Sequence, residues 1–340
     1  MKPKLPPTEG RGRIAPAPPA NGKRLTEVPR IGLVLSSGGA RGLAHIGVLQ
    51  VLEENNIPIC ALAGCSMGAY VGGLWAAGLS IEKLGIRAAE IKDRQALKSL
   101  LDFAFPPAKG LVYGEKIRQH LERDLKGLTF DCLRIPTMIV ATDLESLQAH
   151  VFKTGNVARA IHASAAIPGV CVPVEWEGRR YTDGGACEPL PVSLMREQFD
   201  VDHVIAVNVM PPPEEAFSRR EDPALHRPSW LRRLFYTLIR PINLLADGNV
   251  LDTFRRALMS AQLRLIAKEA TTADVLIQPR FGHSRWYDFE NFENYIAAGR
   301  RAALEALPKI QSLVHQPTQP TQPTHHESVP PLTQVGIDAA

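Results

Sequence analysis

The sequence is poor in cysteine and lacks any closely spaced cysteine pair. Its 340 residues include five cysteines, namely Cys60, Cys65, Cys132, Cys171 and Cys187, and no Cys-x-x-Cys motif. An odd, scattered set argues against a disulfide framework and against a structural zinc site. The pattern is typical of a reducing compartment, so we expect a cytoplasmic protein.

The main part of the chain carries almost no net charge. The formal net charge is +4, but residues 1–30 carry seven basic and two acidic side chains, so the remainder is close to neutral. A near-neutral body argues against duplex nucleic acid as the main partner. No apolar segment follows the basic N-terminal residues, so we expect no secretory signal peptide.

Long uncharged runs are also rare, and one is long enough to span a bilayer. It extends from Ile57 to Leu79 and contains Pro58 and five glycines. Prolines and glycines at this density favour a buried strand, a sharp turn and a buried helix. We therefore expect the two elements to meet at Ser66, without a membrane span.

The composition divides the chain into four parts. Residues 1–29 contain seven prolines and predict a flexible, disordered tail. Residues 30–210 hold every motif with chemical content, and residues 211–312 are expected to be a helix and strand extension that completes the same domain. Residues 313–340 form a low-complexity tail rich in Pro, Gln and Thr.

Short apolar runs alternate with helical patterns along the body. Nearly all-apolar strands separated by helices predict an α/β fold with three α/β/α layers and a mainly parallel central sheet. The predicted strands are 31–36, 59–63, 137–142, 149–152, 172–176, 179–182, 203–209 and 274–278, and the predicted helices are 43–54, 67–79, 157–166, 192–199 and 251–270.

The segment Gly64-Cys65-Ser66-Met67-Gly68 is a G-x-S-x-G motif between a predicted strand and a predicted helix. This context is that of a nucleophile elbow, in which a tight turn exposes the serine at a helix N-terminus. The alternative is a serine that only caps the helix. In an elbow the neighbours of the serine point inward, so we expect Cys65 to be a buried side chain and not the nucleophile.

A glycine-rich loop, Ser36 to Gly42 (SSGGARG), follows the first predicted strand. A dinucleotide-binding site would need glycine at position 37, which is Ser37, and an acidic residue after the next strand. A P-loop would need Lys-Ser or Lys-Thr where Leu43 and Ala44 stand. Two interpretations remain, a plain turn or an oxyanion hole made of backbone N–H groups.

A serine nucleophile needs a base, and Asp183 is one candidate. It leaves a predicted strand in Tyr181-Thr182-Asp183-Gly184-Gly185, although an aspartate there could equally bond its own turn. The usual partner is histidine. His203, His226 or His283 could complete a Ser-His-Asp triad, with His283 the most plausible of the three.

Taken together, these motifs resemble the patatin-like phospholipase family over residues 32–210. The resemblance is carried by Gly38–Gly47 (GGARGLAHIG), Gly64–Ala69 (GCSMGA), Ala141–Leu144 (ATDL), Ala163–Gly169 (ASAAIPG) and Thr182–Gly185 (TDGG). The family hydrolyses acyl esters of lipids, so the resemblance implies a patatin-like core, a phospholipid or lysophospholipid substrate, and neither metal nor cofactor.

The resemblance also implies a catalytic dyad without histidine. Ser66 would be the nucleophile and Asp183 the base. The backbone amides of Gly38, Gly39 and Ala40 would form the oxyanion hole. The remaining motif residues are Arg41, Gly42, Gly64, Gly68, Gly184 and Gly185.

Two positions depart from the family pattern. Ser37 stands where the loop usually has its first glycine, which would weaken catalysis if that residue needed a positive φ. Cys171 stands where relatives often carry an aromatic residue, which would alter the acyl pocket. The alternatives are therefore a catalytically weak lipid-binding or regulatory protein on the same fold, or a triad carboxylesterase for soluble esters.

Other features allow two interpretations each. Arg41 either neutralises a phosphate head group or pairs with a structural carboxylate such as Asp143 or Glu188. Residues 229–245 either dock transiently on the inner membrane surface or pack on the core. We expect Asp143 to form a structural turn. Aromatic residues near the C-terminal end of the body are expected in the core, namely Trp286, Tyr287, Phe289, Phe292 and Tyr295.

Overall fold

The computed structural model describes residues 29–92, 102–105, 109–212, 250–282 and 284–315. The predicted tails fall almost wholly outside these ranges. The predicted docking segment 229–245 and two of the candidate histidines, His226 and His283, also lie outside the described residues.

A mixed eight-stranded sheet forms the centre of the molecule. The strands are β1 (Ile31–Leu35), β2 (Ile59–Cys65), β3 (Thr137–Asp143), β4 (Gln148–Phe152), β5 (Val174–Trp176), β6 (Arg179–Asp183), β7 (His203–Val207) and β8 (Val275–Ile277). Their order is β5-β6-β3-β2-β1-β7-β8, with β4 also paired to β3. Strands β3, β2, β1, β7 and β8 run parallel, whereas β4, β5 and β6 form antiparallel pairs. The mainly parallel central sheet is confirmed.

Eight α-helices connect or flank these strands. They are α1 (Ala44–Glu54), α2 (Met67–Ala76), α3 (Ile81–Glu90), α4 (Glu115–Leu125), α5 (Val157–Ser164), α6 (Val192–Gln198), α7 (Val250–Ala270) and α8 (Phe292–His315) among the described residues. A 3₁₀ turn, Gly39–Leu43, precedes α1. The sequence did not predict α3, α4 or α8.

Side-chain alternation along the strands produces two apolar layers. On β1, Leu33 and Leu35 face a core shared with α1, α2 and α8, whereas Val34 faces the opposite core with α6 and α7. Both layers exclude water, because the central strand residues are fully buried. Helices therefore cover both faces of the sheet, and the three-layer prediction is confirmed.

Strand β3 brings two distant segments together at one of its edges. Strand β4 occupies one edge, from Ile139 to Asp143, so β2 and β6 must share the other. On that edge Cys65 of β2 is opposite Val140, and Asp183 of β6 is opposite Ala141. The C-terminal ends of β2 and β6 therefore meet at consecutive positions along β3.

Helix α8 crosses α1 so closely that the two backbones are in contact at glycine positions. A Cβ on Gly47 would lie 2.0 Å from the carbonyl oxygen of Ile296, and a Cβ on Gly299 would lie 1.9 Å from that of Ala44. Glycine at both positions allows the two backbones to approach, which anchors the end of the body to the glycine loop.

The uncharged stretch Ile57–Leu79 forms β2 and α2, as predicted. Among the residues that the structure describes, no helix is both long enough and apolar enough to cross a membrane.

Candidate active site

Ser66 occupies the sharp turn between β2 and α2. Its backbone has φ 53° and ψ −117°, a region that residues other than glycine seldom adopt. The turn closes because its flanks lack side chains: a Cβ on Gly64 would lie 2.7 Å from Ala69 Cα, and one on Gly68 would lie 2.2 Å from the Leu35 carbonyl oxygen. Cys65 is fully buried, as expected.

A second serine holds this turn in place. The backbone N–H of Ser66 donates to Ser164 Oγ at 2.8 Å, and Ser164 Oγ donates to the Val140 carbonyl oxygen at 2.6 Å. Ser164 is fully buried at the end of α5. It therefore ties the strained turn to β3.

Asp183 meets Ser66 directly. Ser66 Oγ donates to Asp183 Oδ2 at 2.5 Å, and the N–H of Gly185 donates to Asp183 Oδ1 at 2.7 Å. Burial raises the pKa of Asp183 to about 6, although both hydrogen bonds favour the ionised form. The carboxylate is thus a stronger base than an exposed aspartate.

Glycine is required beside Asp183 as well. A Cβ on Gly184 would lie 2.2 Å from the Val140 carbonyl oxygen, so the chain after β6 passes directly over β3. The backbone N–H of Asp183 donates to Ala166 and its carbonyl oxygen accepts from Thr142 Oγ1. These contacts fix the position of the carboxylate relative to the elbow.

The glycine loop lies against the same pocket. Gly38 and Gly39 line it together with Ser66, and no hydrogen-bond acceptor is recorded for their N–H groups within the described part of the chain. Gly39 has φ 58°, and a Cβ there would lie 2.4 Å from the Trp286 carbonyl oxygen. Both amides are thus available to a substrate oxygen.

The prediction that Ala40 is a third oxyanion donor is wrong. The N–H of Ala40 donates to the Trp286 carbonyl oxygen at 2.7 Å, so it is not free to bind substrate. Ala40 is also completely buried. Its role is to attach the loop to the segment that precedes α8. Gly42, next in the loop, is buried against Met67 of α2.

The Ser37 departure imposes no strain on the loop. Ser37 is not among the residues with positive φ, and its N–H donates to the Pro189 carbonyl oxygen at 2.9 Å. Cys171, the other departure, is not one of the residues that line the pocket. Its neighbour Val170 lines the pocket, whereas Cys171 forms an isolated β-bridge with Val112. Neither position shows the disturbance that the family pattern suggested.

The pocket wall is mostly apolar and includes two aromatic residues that we expected in the core. Trp286 and Tyr287 line the pocket, and Tyr287 is 43% exposed, so the prediction is wrong for this pair. Phe292 and Tyr295 are buried in the core, as predicted. The aliphatic part of the wall includes Ile167, Val170, Leu258 and Met259.

Arg41 and Asp143 have separate structural environments. Arg41 lines the pocket, and its Nε and Nη2 donate to Oγ and the carbonyl oxygen of Ser284 at 2.7 and 2.8 Å. Asp143 accepts from the N–H of Glu145 and pairs with Arg179, which together lower its pKa to about 2. Asp143 therefore forms the structural turn we expected.

Of the three candidate histidines, the structure describes His203. It opens β7 opposite Ile31, at the end of the parallel sheet away from Ser66, and its Nδ1 lies 3.5 Å from Asp274 Oδ1. Within the described ranges no histidine hydrogen-bonds to Ser66 or Asp183.

Two residues of the site had no assigned role in the sequence interpretation. Ser164 belongs to the ASAAIPG segment, so its motif was noticed but its contact with Ser66 was not. Gln262 of α7 lines the pocket and donates to the Gly185 carbonyl oxygen at 2.9 Å. Gln262 has no local signal, because only tertiary packing brings α7 to the site.

A buried serine on a sharp turn contacts a buried carboxylate beside a glycine-rich loop, an arrangement suited to nucleophilic catalysis. Residues 33–196 match the family model described as Patatin-like phospholipase. Over these residues the chain belongs to the patatin-like phospholipase family.

The chain is also similar to individual proteins. An uncharacterized NTE family protein of Mycobacterium tuberculosis is 39% identical over 70% of this chain and 64% of its own length. Lysophospholipase NTE1 of Cryptococcus neoformans is 32% identical over 53% of this chain and 11% of its own length. VipD from Legionella pneumophila, a solved structure, has a TM-score of 0.47 at 14% identity and covers 84% of this chain and 67% of its own. The chain thus spans less than two thirds of the curated relatives it matches.

Proposed function

We propose that this chain is a serine acyl hydrolase that cleaves carboxylic ester bonds of lipids through a Ser66–Asp183 dyad. The observation that carries the proposal is the 2.5 Å hydrogen bond between Ser66 Oγ and Asp183 Oδ2. The bond joins the two side chains without an intervening group. It lies in a pocket whose wall is mainly apolar.

Burial makes direct proton transfer to a carboxylate feasible. A carboxyl group with an ordinary pKa near 4 is a weak base for a serine hydroxyl. General bases work best when their pKa lies close to the working pH. The pKa of about 6 for Asp183 is therefore suited to catalysis near neutral pH, and the apolar surroundings that raise it also suit an acyl chain.

The proposed reaction has two halves. Asp183 takes the hydroxyl proton of Ser66 while Oγ attacks the ester carbonyl carbon, and the amides of Gly38 and Gly39 stabilise the oxyanion. Collapse breaks the ester bond, and Asp183 returns its proton to the departing alcohol. Water then attacks the acyl-enzyme, with Asp183 as base, and releases the fatty acid and free Ser66.

A phospholipid or lysophospholipid is the substrate class we propose. Support comes from the apolar wall and from the printed name of the fungal relative, a lysophospholipase. Such substrates reside in bilayers, so we propose that the protein works at a membrane surface, with residues 229–245 as the docking segment.

A fluorophosphonate probe tests the nucleophile. We expect it to label the wild type and not Ser66→Ala. Cys65→Ala is the matched control for the neighbouring thiol and should label normally, because Cys65 is fully buried. Labelling should be paired with a hydrolysis screen over a lysophospholipid, a diacyl phospholipid, a diacylglycerol and a p-nitrophenyl ester.

Each result of the screen has one meaning. Turnover of lipid esters that is lost in Ser66→Ala supports the proposal. A wild type that neither labels nor hydrolyses any of the four esters would instead favour a lipid-binding protein. Turnover of the soluble ester alone would favour a carboxylesterase.

A further inference from the structure

The hydroxyl of Ser37 is buried beside the candidate active site without a partner. Ser37 lines the pocket, is 4% exposed, and its Oγ has no hydrogen-bond partner among the described residues. Buried hydroxyls nearly always have a partner, because an unpaired one loses its bonds to water. A polar group left unpaired at this place points to a contact made during the reaction.

The unpaired hydroxyl lies next to the catalytic carboxylate. Asp183 Oδ1, Gln262 Nε2 and Ser37 Oγ lie 2.9, 3.0 and 3.0 Å from the point that a Cβ on Gly185 would occupy. These three atoms can surround this position because Gly185 has no Cβ to occupy it. Oδ1 accepts from the N–H of Gly185, whereas Oδ2 accepts from Ser66 Oγ.

Other polar side chains of the site are already hydrogen-bonded. The Gln262 amide donates to the Gly185 carbonyl oxygen, and Ser164 Oγ bridges Ser66 and Val140. Ser36 Oγ donates to the Ser37 carbonyl oxygen and accepts from the N–H of Val209. Ser37 Oγ alone among these groups has both a free donor and a free acceptor.

We propose that Ser37 is the second polar contact of the water that hydrolyses the acyl-enzyme. The inference rests on the proposed function. A water molecule that attacks a carbonyl carbon must give one proton to the base, and a second contact is needed to aim its lone pair. Asp183 provides the base, and the neighbouring hydroxyl of Ser37 accepts the second hydrogen of the water.

The step conserves atoms and protons. The water oxygen bonds to the acyl carbon while Asp183 takes one of its protons. The bond between the acyl carbon and Ser66 Oγ then breaks, and Asp183 gives the proton back to Oγ. The fatty acid leaves with the other water hydrogen, and Ser37 changes no covalent bond.

Stopped-flow measurements with a p-nitrophenyl ester separate the two halves of the reaction. The burst of p-nitrophenol reports acylation, and decay of the acyl-enzyme, followed by mass spectrometry, reports deacylation. For Ser37→Ala we expect deacylation to slow about tenfold, the scale of one hydrogen bond to a reacting group, with acylation unchanged. In steady state, kcat and KM should then fall together and kcat/KM should stay constant.

Two further variants make the test decisive. Ser37→Gly removes the hydroxyl without adding a methyl group and should show the same selective loss. Ser36→Ala is the matched control, because its hydroxyl bonds only to backbone groups of Ser37 and Val209. It should lower thermal stability while leaving the ratio of deacylation to acylation at the wild-type value.

The inference is overturned if deacylation of Ser37→Ala stays at the wild-type rate, if acylation falls by the same factor, or if Ser36→Ala changes the ratio equally. A wild type that forms no acyl-enzyme on Ser66 would overturn the proposed function itself, which is a different result.

Discussion

Asp183 reaches Ser66 across 117 residues because one strand holds both of them in register. Cys65, which precedes Ser66, pairs with Val140 of β3, and Asp183 pairs with the next residue, Ala141. Two strand ends that meet head to head on a buried edge have little freedom to separate. Ser66 and Asp183 are thus placed by buried strands of the central sheet.

The pH dependence of acylation should report the ionisation of Asp183. The base must be deprotonated to accept the Ser66 proton, and burial raises its pKa to about 6. We therefore expect kcat/KM to be half-maximal near pH 6, to level off about one pH unit higher, and to fall about tenfold per pH unit in more acidic solution. The midpoint should hardly move with temperature, since carboxyl groups have small ionisation enthalpies. A strongly temperature-dependent midpoint would indicate an imidazole.

The buried carboxylate should also cost stability. The pKa of Asp183 is about 6 in the fold and near 3.8 in the unfolded chain, so the native state holds the proton more tightly and stability falls as pH rises from about 4 to 6. Asp183→Asn should therefore be more stable than wild type at pH 8, by up to about 3 kcal/mol. Urea denaturation should show this gain disappearing below pH 4.

Asp143→Asn is a control for which we expect a change in stability of the opposite sign. Backbone and Arg179 contacts lower the pKa of Asp143 to about 2, so its ionised form is favoured by folding. Its replacement should destabilise the protein at neutral pH, with the loss diminishing in acid. A gain in this variant, or none in Asp183→Asn, would contradict the assigned environments.

Ser164→Ala should disturb the elbow without touching the base. The change leaves the Ser66 N–H and the Val140 carbonyl oxygen without their partner, which should cost about 1–3 kcal/mol. Labelling of Ser66 by a fluorophosphonate should slow about tenfold well below the melting temperature, with the pH midpoint unchanged.

Thr137→Val is the matched control for that loss. It removes a buried hydroxyl of β3 that bonds to the Ile135 carbonyl oxygen, away from the elbow. We expect a smaller stability loss, because one hydrogen bond is lost instead of two, with normal labelling. If both variants label at the same rate, Ser164 has only a structural role.

The crossing of α1 and α8 should tolerate no added methyl group. A Cβ on Gly299 would lie 1.9 Å from the Ala44 carbonyl oxygen, so Gly299→Ala should cost about 1–3 kcal/mol through forced separation of the helices. Gly85→Ala in α3 meets nothing within 4 Å and should add about 0.5–1 kcal/mol. Thermal denaturation of the two variants should therefore shift in opposite directions.

Local patterns predicted the strands and the elbow because both depend on short runs of sequence. Strands β1, β2, β3 and β7 are mainly apolar segments, and the G-x-S-x-G turn requires glycine at fixed positions. Helix α8 was missed because Gly299 and Pro308 weaken its local signal, while packing against α1 stabilises it.

The rest of the site depends on contacts between distant segments. Nothing near Ala40 in the sequence indicates that Trp286 will accept its N–H, and this contact decides which loop amides remain free. The same contact draws Trp286 into the pocket wall, where an aromatic residue would ordinarily be assigned to the core.

The acylation rate constant of Asp183→Asn tests the dyad most directly. Stopped-flow release of p-nitrophenol in the burst phase should slow at least 10²-fold relative to wild type, the scale of one general base, while the variant remains folded. A burst rate within a few-fold of wild type would show that a group other than Asp183 takes the proton from Ser66.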